Sequence, residues 1–212
     1  MTGLVACIVE EDGEVEAVPL LVQRVAIEAC PDIIVSIVRP PIRVPRNKLV
    51  KAGELERAVE LAARRAGSEG ATLVLIDSDD DCPALLGPEL QKRAQAVRPG
   101  FPVAVVLAKR EYEAWFLAAA ESLRGKRDLS DDLSPPADPE SIRDAKGWLR
   151  DRMPDGRKYR ETLDQPALTA VFDLQAARAS DSFDKCYREI VKLIERLRVP
   201  RVPEHGTPPR GL

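Results

Sequence analysis

The sequence predicts an α/β fold: a mostly parallel sheet of about four strands, helices on both faces, and a helical extension after it. Three observations carry this. Near-continuous apolar runs of strand length recur at 3–9, 32–38, 71–76 and 102–107. Segments with helical apolar spacing separate them. Two of the runs end in clustered acids, at Glu10-Glu11-Asp12-Gly13-Glu14 and at Asp77-Ser78-Asp79-Asp80-Asp81. Strands buried on both faces read as unbroken apolar runs, and helices between them imply crossover connections and parallel pairing.

The first strand, Leu4-Val5-Ala6-Cys7-Ile8-Val9, leads into a helix over 18–30, where Val18, Leu21, Val22, Val25, Ala26 and Ala29 fall at helical spacing. Pro19 suits a first turn, where its missing N–H is not needed, and Gly13 permits a tight turn before it. The second strand is Ile33-Ile34-Val35-Ser36-Ile37-Val38. Pro40, Pro41 and Pro45 then predict an irregular basic loop over 39–51. A helix over 53–66 ends at Gly67 and Gly70. The third strand, 71–76, runs into the aspartates, and a helix over 83–97 precedes the fourth strand, 102–107.

Beyond Leu107 helical segments are expected at 108–123, 139–152, 159–171 and 182–197, with a charged mobile loop at 125–138 and a loose Pro-rich tail at 199–212. The expected organisation is an α/β domain at 1–123, a helical extension at 124–198 packed on it, and the tail. The apolar stripe Phe183, Cys186, Tyr187, Ile190, Leu193, Ile194 and Leu197 reads first as packing against the chain's own sheet, and second as a docking face. Trp115 and Phe116 likewise read as core before they read as a base-stacking platform.

Composition narrows the function. The 212 residues are 44% hydrophobic and 32% charged with net charge −3, so no global basic footprint of a nucleic-acid binder exists. No stretch approaches the roughly 18 consecutive apolar residues of a membrane span. No basic start precedes a long apolar run, so no signal peptide is expected, and the protein is expected to be cytoplasmic. Cys7, Cys30, Cys82 and Cys186 lack C-x-x-C spacing and read as reduced thiols. The single histidine, His205, leaves zinc binding and His-based nucleophilic catalysis without ligands or a base. Acid–base chemistry falls to carboxylates, lysines or metal-bound water.

The acids are the chemical signal. Four aspartates within five residues repel one another unless a divalent cation or basic partner offsets them. In open parallel sheets ligands bind beyond the carboxyl ends of the strands. Glu10, Asp77 and Asp79 end such strands and are candidate ligands for Mg2+ or Mn2+, the choice for an all-oxygen donor set. Glu111 and Glu113, just past the fourth strand, could add a carboxylate on the same edge. The plain alternative is a solvated acidic loop capping the next helix. Arg39, Arg43, Arg46, Lys48 and Lys51 form a cationic segment without an acid, suited to a phosphodiester or simply to pairing with nearby glutamates.

Strand-Glu at Val9-Glu10 followed by strand-Asp-x-Asp at Ile76-Asp77-Ser78-Asp79 resembles the Toprim fold of topoisomerases, bacterial primases and the nuclease part of overcoming-lysogenization-defect proteins. The last group is also similar in a second Glu four residues after the first, here Glu14. Over nearly its whole length the chain resembles the domain-of-unknown-function 4276 family, which is Toprim-like. The segments are Val9 to Ala17, Ile76 to Pro83, Arg110-Glu111-Tyr112-Glu113-Ala114-Trp115-Phe116-Leu117-Ala118, and Ser182-Phe183. The resemblance implies a metal site of Glu10, Asp77, Asp79 and Glu14, with Glu113 as third acid. It also implies a partner ATPase in phage defence; no G-x-x-x-x-G-K-[ST] motif is present here, so the chain does not itself carry that ATPase site. One departure stands out. Toprim proteins commonly place Gly directly after the first Glu, and this chain has Glu11 there, which leaves Glu10 and Glu11 as alternative ligands.

The leading expectation is a Mg2+-dependent phosphodiesterase, a nuclease. In it Glu10, Asp77 and Asp79 hold the metal, Glu14 or Glu113 supports, and Glu10 or Glu113 accepts the proton. The alternative is a non-catalytic adaptor that docks an ATPase through helix 182–197 and Trp115–Leu117. A nucleotide-sugar transferase, which also uses Asp-x-Asp, is a weaker third.

Overall fold

The computed structural model describes residues 2–198; the expected tail at 199–212, with His205, lies outside the described residues. Chain order begins β1 (Thr2–Val9), α1 (Glu14–Ala29), β2 (Ile34–Arg43), α2 (Arg46–Leu49), α3 (Glu54–Ala66), β3 (Ala71–Asp77), α4 (Pro83–Val97) and β4 (Val103–Ala108). The strands form a four-stranded sheet of order β2-β1-β3-β4 in which every pairing is parallel. The architecture is α/β and Rossmann-like, as the alternating apolar runs predict.

The faces follow from the two-residue period of a strand. Along β1, Val5, Cys7 and Val9 join the core under α1 and the C-terminal helices, while Ala6 and Ile8 join the core under α3 and α4. In β3, Leu73 and Leu75 take the first side and Val74 and Ile76 the second. Asp77 continues the odd-numbered side, so the strand aims it at the face that carries the C-terminal helices. The strand order reverses between β1 and β3, with β2 added on one side of β1 and β3 and β4 on the other, and such switch points are the crevices where parallel sheets hold ligands.

Two local expectations are corrected. The expected basic loop is partly regular: β2 continues through Pro40 and Pro41 to Arg43, and α2 takes Arg46–Leu49. As an edge strand β2 pairs only with β1, and prolines are tolerated where a missing N–H faces away from the ladder. Helix α1 starts at Glu14 instead of residue 18, which puts Pro19 inside it.

The rest comprises α5 (Ala114–Ala118), α6 (Ala145–Arg150), α7 (Glu161–Thr169), α8 (Leu174–Ala177) and α9 (Asp181–Arg196), with 3-10 turns at Ala120–Leu123 and Pro139–Ser141. The long helix expected over 108–123 is broken at its start by Arg110, whose φ of 68° no α-helix accommodates. The helix expected over 139–152 shrinks to α6, which begins where Asp144 accepts the Gly147 N–H at 2.7 Å. The segment 125–138 is irregular, yet Leu129 and Leu133 are buried in the same core as β1 and β3.

Helix α9 has the apolar stripe the sequence shows, and that stripe is buried against the sheet. Trp115, Phe116 and Leu117 are fully buried too. Phe183 packs edge-on against Trp115 and Phe172, with ring centroids at 5.2 and 5.5 Å. Ser182 accepts the Trp115 indole N–H at 2.8 Å and the Lys109 backbone N–H at 3.1 Å. Both surfaces assigned to docking in the adaptor reading are therefore interior. Among the described residues no helix is long and apolar enough to cross a membrane.

Candidate acidic site

The β1–α1 turn is closed by its own acid. Glu14, the first residue of α1, turns its carboxylate back so that Oε2 accepts the backbone N–H groups of Glu10 at 2.7 Å and Glu11 at 3.1 Å. Both donors belong to the turn ahead of the helix, so the first helical residue closes the turn that leads into it. Gly13 has an ordinary helical φ of −66°, so left-handed freedom is not what it provides. A Cβ there would lie 2.3 Å from Gln165 Oε1 and 2.8 Å from the Glu161 carbonyl. The glycine lets α7 approach the turn and brings the extension onto the sheet edge.

The next strand end is tied to the first. Glu10 Oε2 accepts the Asp77 N–H at 3.2 Å, and Asp77 Oδ1 accepts the Tyr112 N–H at 2.9 Å. Beyond Asp77 the chain stays bound to the end of β4. Ser78 N donates to the Ala108 carbonyl, Arg110 N to Ser78 Oγ, and Asp79 N to the Arg110 carbonyl. Asp79 and Arg110 both adopt positive φ, 49° and 68°. Left-handed non-glycine residues persist where surrounding bonds over-determine them, and such positions gather at functional sites.

Asp79 turns to Arg46, although its charge still adds to the forces that raise Glu10. Its side chain is 61% exposed and its carboxylate lies 3.5 Å from the Arg46 guanidinium. Arg46 also donates to the carbonyls of Asp77 at 2.9 Å and Ser78 at 3.2 Å and pairs with Asp81. Asp80 pairs with Arg110 and with Arg143. Asp80 and Asp81 are exposed, and neither caps α4, whose cap residue Cys82 makes no side-chain bond. Arg46, read from sequence as a phosphate ligand, is thus the clamp of the aspartate loop. Arg46→Ala should destabilise the fold by about 1–3 kcal/mol, since two carbonyls lose charged donors. Urea denaturation measures it, and unchanged stability would remove the clamp role.

The remaining acids form a deeper cluster. Glu14 and Glu113 are 0% exposed and Asp77 is 4% exposed. Glu113 Oε1 accepts the Tyr159 hydroxyl at 2.9 Å and Gln165 Nε2 at 3.3 Å. Lys146 Nζ stands 2.9 Å from Glu11, 3.2 Å from Glu161 and 3.6 Å from Glu113 Oε2. Two carboxylate oxygens, Glu14 Oε1 and Glu113 Oε2, are buried without a hydrogen-bond partner, a condition that native structures seldom leave unexplained.

The electrostatics follow. Burial pushes Glu14 up to about 8, against the pull of the Glu11 and Glu10 N–H groups and with the repulsion of the Glu11 and Glu10 carboxylates. Burial pushes Glu113 up to about 7, opposed by Lys146 and Tyr159. Asp77 lies well above the usual carboxylate range through burial and then the charges of Glu14 and Glu113, with Lys146 opposing. Glu10 and Glu111, each about half-buried, are raised mainly by burial. Burial pulls Lys146 down, but Glu113 and Glu11 outweigh it and hold the ammonium firmly protonated.

The expected acids thus divide. Glu10, Asp77, Glu14 and Glu113 gather around the crevice between β1 and β3, whereas Asp79 faces out. Among the described residues no three histidine, cysteine, aspartate or glutamate side chains converge closely enough to hold a metal ion as they stand. The physical reason is that Asp77 is turned to Tyr112, Asp79 to Arg46, and Glu11 and Glu113 to Lys146. Of the cationic segment, Arg39 pairs with Glu16 and Arg43 with Asp12, both about half-exposed, and Lys48 is exposed on α2. Sequence reasoning missed Lys146, Tyr159, Gln165, Arg110 and Arg143. A lone lysine after the Asp144 cap looks like any surface lysine until α6 is seen against the acids.

No curated protein and no solved structure matches the chain. A family model described as a domain of unknown function (DUF4276) matches residues 9–190. That span begins one residue before Glu10 and takes in Glu14, Asp77, Glu113 and Lys146. The chain therefore belongs to the domain-of-unknown-function family DUF4276.

Proposed function

We propose that this protein is a Toprim-like phosphodiesterase, dependent on Mg2+ or Mn2+, that cleaves nucleic acid in the cytoplasm, with a partner ATPase in phage defence. The observation that carries the reading is the pair of buried carboxylate oxygens without a hydrogen bond, Glu14 Oε1 and Glu113 Oε2, the second facing Lys146 at 3.6 Å, beside Asp77 at the switch point of the sheet. Burying carboxylates this way is unfavourable unless a cation repays it. The donor chemistry fits a hard divalent ion, and Asp77, Glu14 and Glu113 would hold it, with Glu10 beside them. Such an ion supplies polarisation of a phosphate and acidification of water.

The chain's own residues do the rest. Glu10 is half-buried at the mouth, and its raised proton affinity suits it to take a proton from water. Arg39, Arg43 and Lys48 on the β2 side, and Arg110 and Arg143 on the β4 side, flank the crevice and can hold neighbouring phosphates. Arg46 keeps the aspartate loop in place.

The test is cleavage of plasmid, single-stranded DNA and RNA with Mg2+ or Mn2+, alone and with the cognate ATPase. Cleavage should require the ion, and Asp77→Asn should lower it by roughly two orders of magnitude or more. Absence of cutting with every substrate and partner, or cutting undiminished by Asp77→Asn, would overturn this reading.

A further inference from the structure

Lys146 does not belong to the sheet edge whose acids it serves. It comes from α6 in the helical extension, where Asp144 fixes the helix start and the Lys146 backbone N–H donates to Glu111 Oε2 at 3.4 Å. From there its ammonium reaches Glu11, Glu161 and Glu113 at 2.9, 3.2 and 3.6 Å. These partners differ in depth. Glu113 is sealed, Glu11 is 32% exposed, and Glu161 is the outermost at 38%.

The oxygen of Glu113 nearest Lys146 is Oε2, one of the two without a hydrogen-bond partner. An ion bound to it at roughly 2.0–2.1 Å would sit against the ammonium that now stands 3.6 Å from the same atom. Two cations that close in a buried site repel strongly. The lysine stem is long and its side chain is 22% exposed, so it has a way out toward Glu161.

We propose that Lys146 is the built-in counter-cation of the acidic site, and that a divalent ion enters by displacing its ammonium from Glu11 and Glu113 toward Glu161. This rests on the reading that the acids take a divalent ion, and adds that ion binding and the grip of α6 on the sheet edge compete. No other lysine or arginine stands within ion-pair distance of Glu113 among the described residues.

Two measurements test it on the full chain. In calorimetric titration with MgCl2 and MnCl2, Lys146→Met should bind the ion about tenfold more tightly than the native protein, and Lys146→Arg, which keeps the charge, should not. Equal or weaker binding by Lys146→Met overturns the inference. Acetylation of lysines in the native protein, followed by mass spectrometry, avoids any dependence on the variant's folding. The rate at Lys146 should rise severalfold at saturating Mg2+ while that at exposed Lys192 stays constant. An ion that binds without changing the rate at Lys146 overturns displacement and leaves the phosphodiesterase reading standing. Failure of the native protein and of Lys146→Met to bind either ion overturns both.

Discussion

Glu113→Gln should stabilise the metal-free protein at pH 8 by about 1–3 kcal/mol while reducing metal-dependent cleavage by about 100-fold or more. The glutamine keeps an oxygen for the Tyr159 and Gln165 donors now held by Glu113 Oε1. What it removes is a negative charge in a fully buried position whose proton affinity burial has raised to about 7. At pH 8 that charge opposes folding, and the attraction of Lys146 offsets only part of it. At pH 5 the native carboxyl is already protonated when folded, so the stabilisation should vanish. Urea denaturation at both pH values, beside the cleavage assay, gives the answer. Destabilisation of equal size at both would make Glu113 a structural acid and would withdraw the main support from the proposed site. A residue that weakens the fold and strengthens the chemistry is the usual signature of a site selected for function.

Much of this was legible because the sheet writes itself into the chain twice, as apolar runs and as their abrupt acidic ends. Val5 to Val9 and Leu73 to Ile76 are buried on both faces, so no polar residue interrupts them, and the first residue that can meet a ligand is the one after the run. That logic puts Glu10 and Asp77 at the edge without a structure. It does not give side-chain direction. Two residues apart, Asp77 and Asp79 would share a face if the strand ran on, yet β3 ends at Asp77 and Asp79 turns away with φ of 49° toward Arg46. Nothing in the string Asp-Ser-Asp records that turn. The β2 prolines mislead for a related reason. Their effect depends on whether the strand lies at the edge, and strand order is a tertiary fact. Lys146 was the least legible, since it meets Glu11 across 135 positions of sequence. Its role depends on α6 packing over the sheet, which no local pattern announces.

The metal-free protein should be most stable near pH 5 and lose stability steadily to pH 8, with Tm falling by about 10 °C. The sign follows from the direction of the shifts. Glu14 at about 8, Glu113 at about 7 and Asp77 well above its usual range all bind protons more tightly folded than unfolded. Stability from such groups is complete below the unfolded carboxyl values near 4.5 and is lost as pH rises through the folded ones. The neighbours do not reverse this. Glu10 and Glu11 face Glu14 and add repulsion, while Tyr159, Gln165 and Lys146 face Glu113. Lys146 is itself raised, so its contribution holds at full strength across the window. Glu56 and Glu60, each held at about 2 by Arg93 and Arg98, act in the opposite sense, but only below about pH 4.5. A divalent ion binds ionised carboxylates and releases protons. Saturating Mg2+ should therefore raise Tm more at pH 8 than at pH 5 and flatten the decline, by about 2.7 kcal/mol at a hundredfold excess over Kd. Thermal unfolding from pH 5 to pH 8, with and without Mg2+, measures both parts. A metal-free Tm that is flat or rises across that range would mean that Glu14, Glu113 and Asp77 ionise without penalty, and the case for a cation site at the β1–β3 crevice would fall with it.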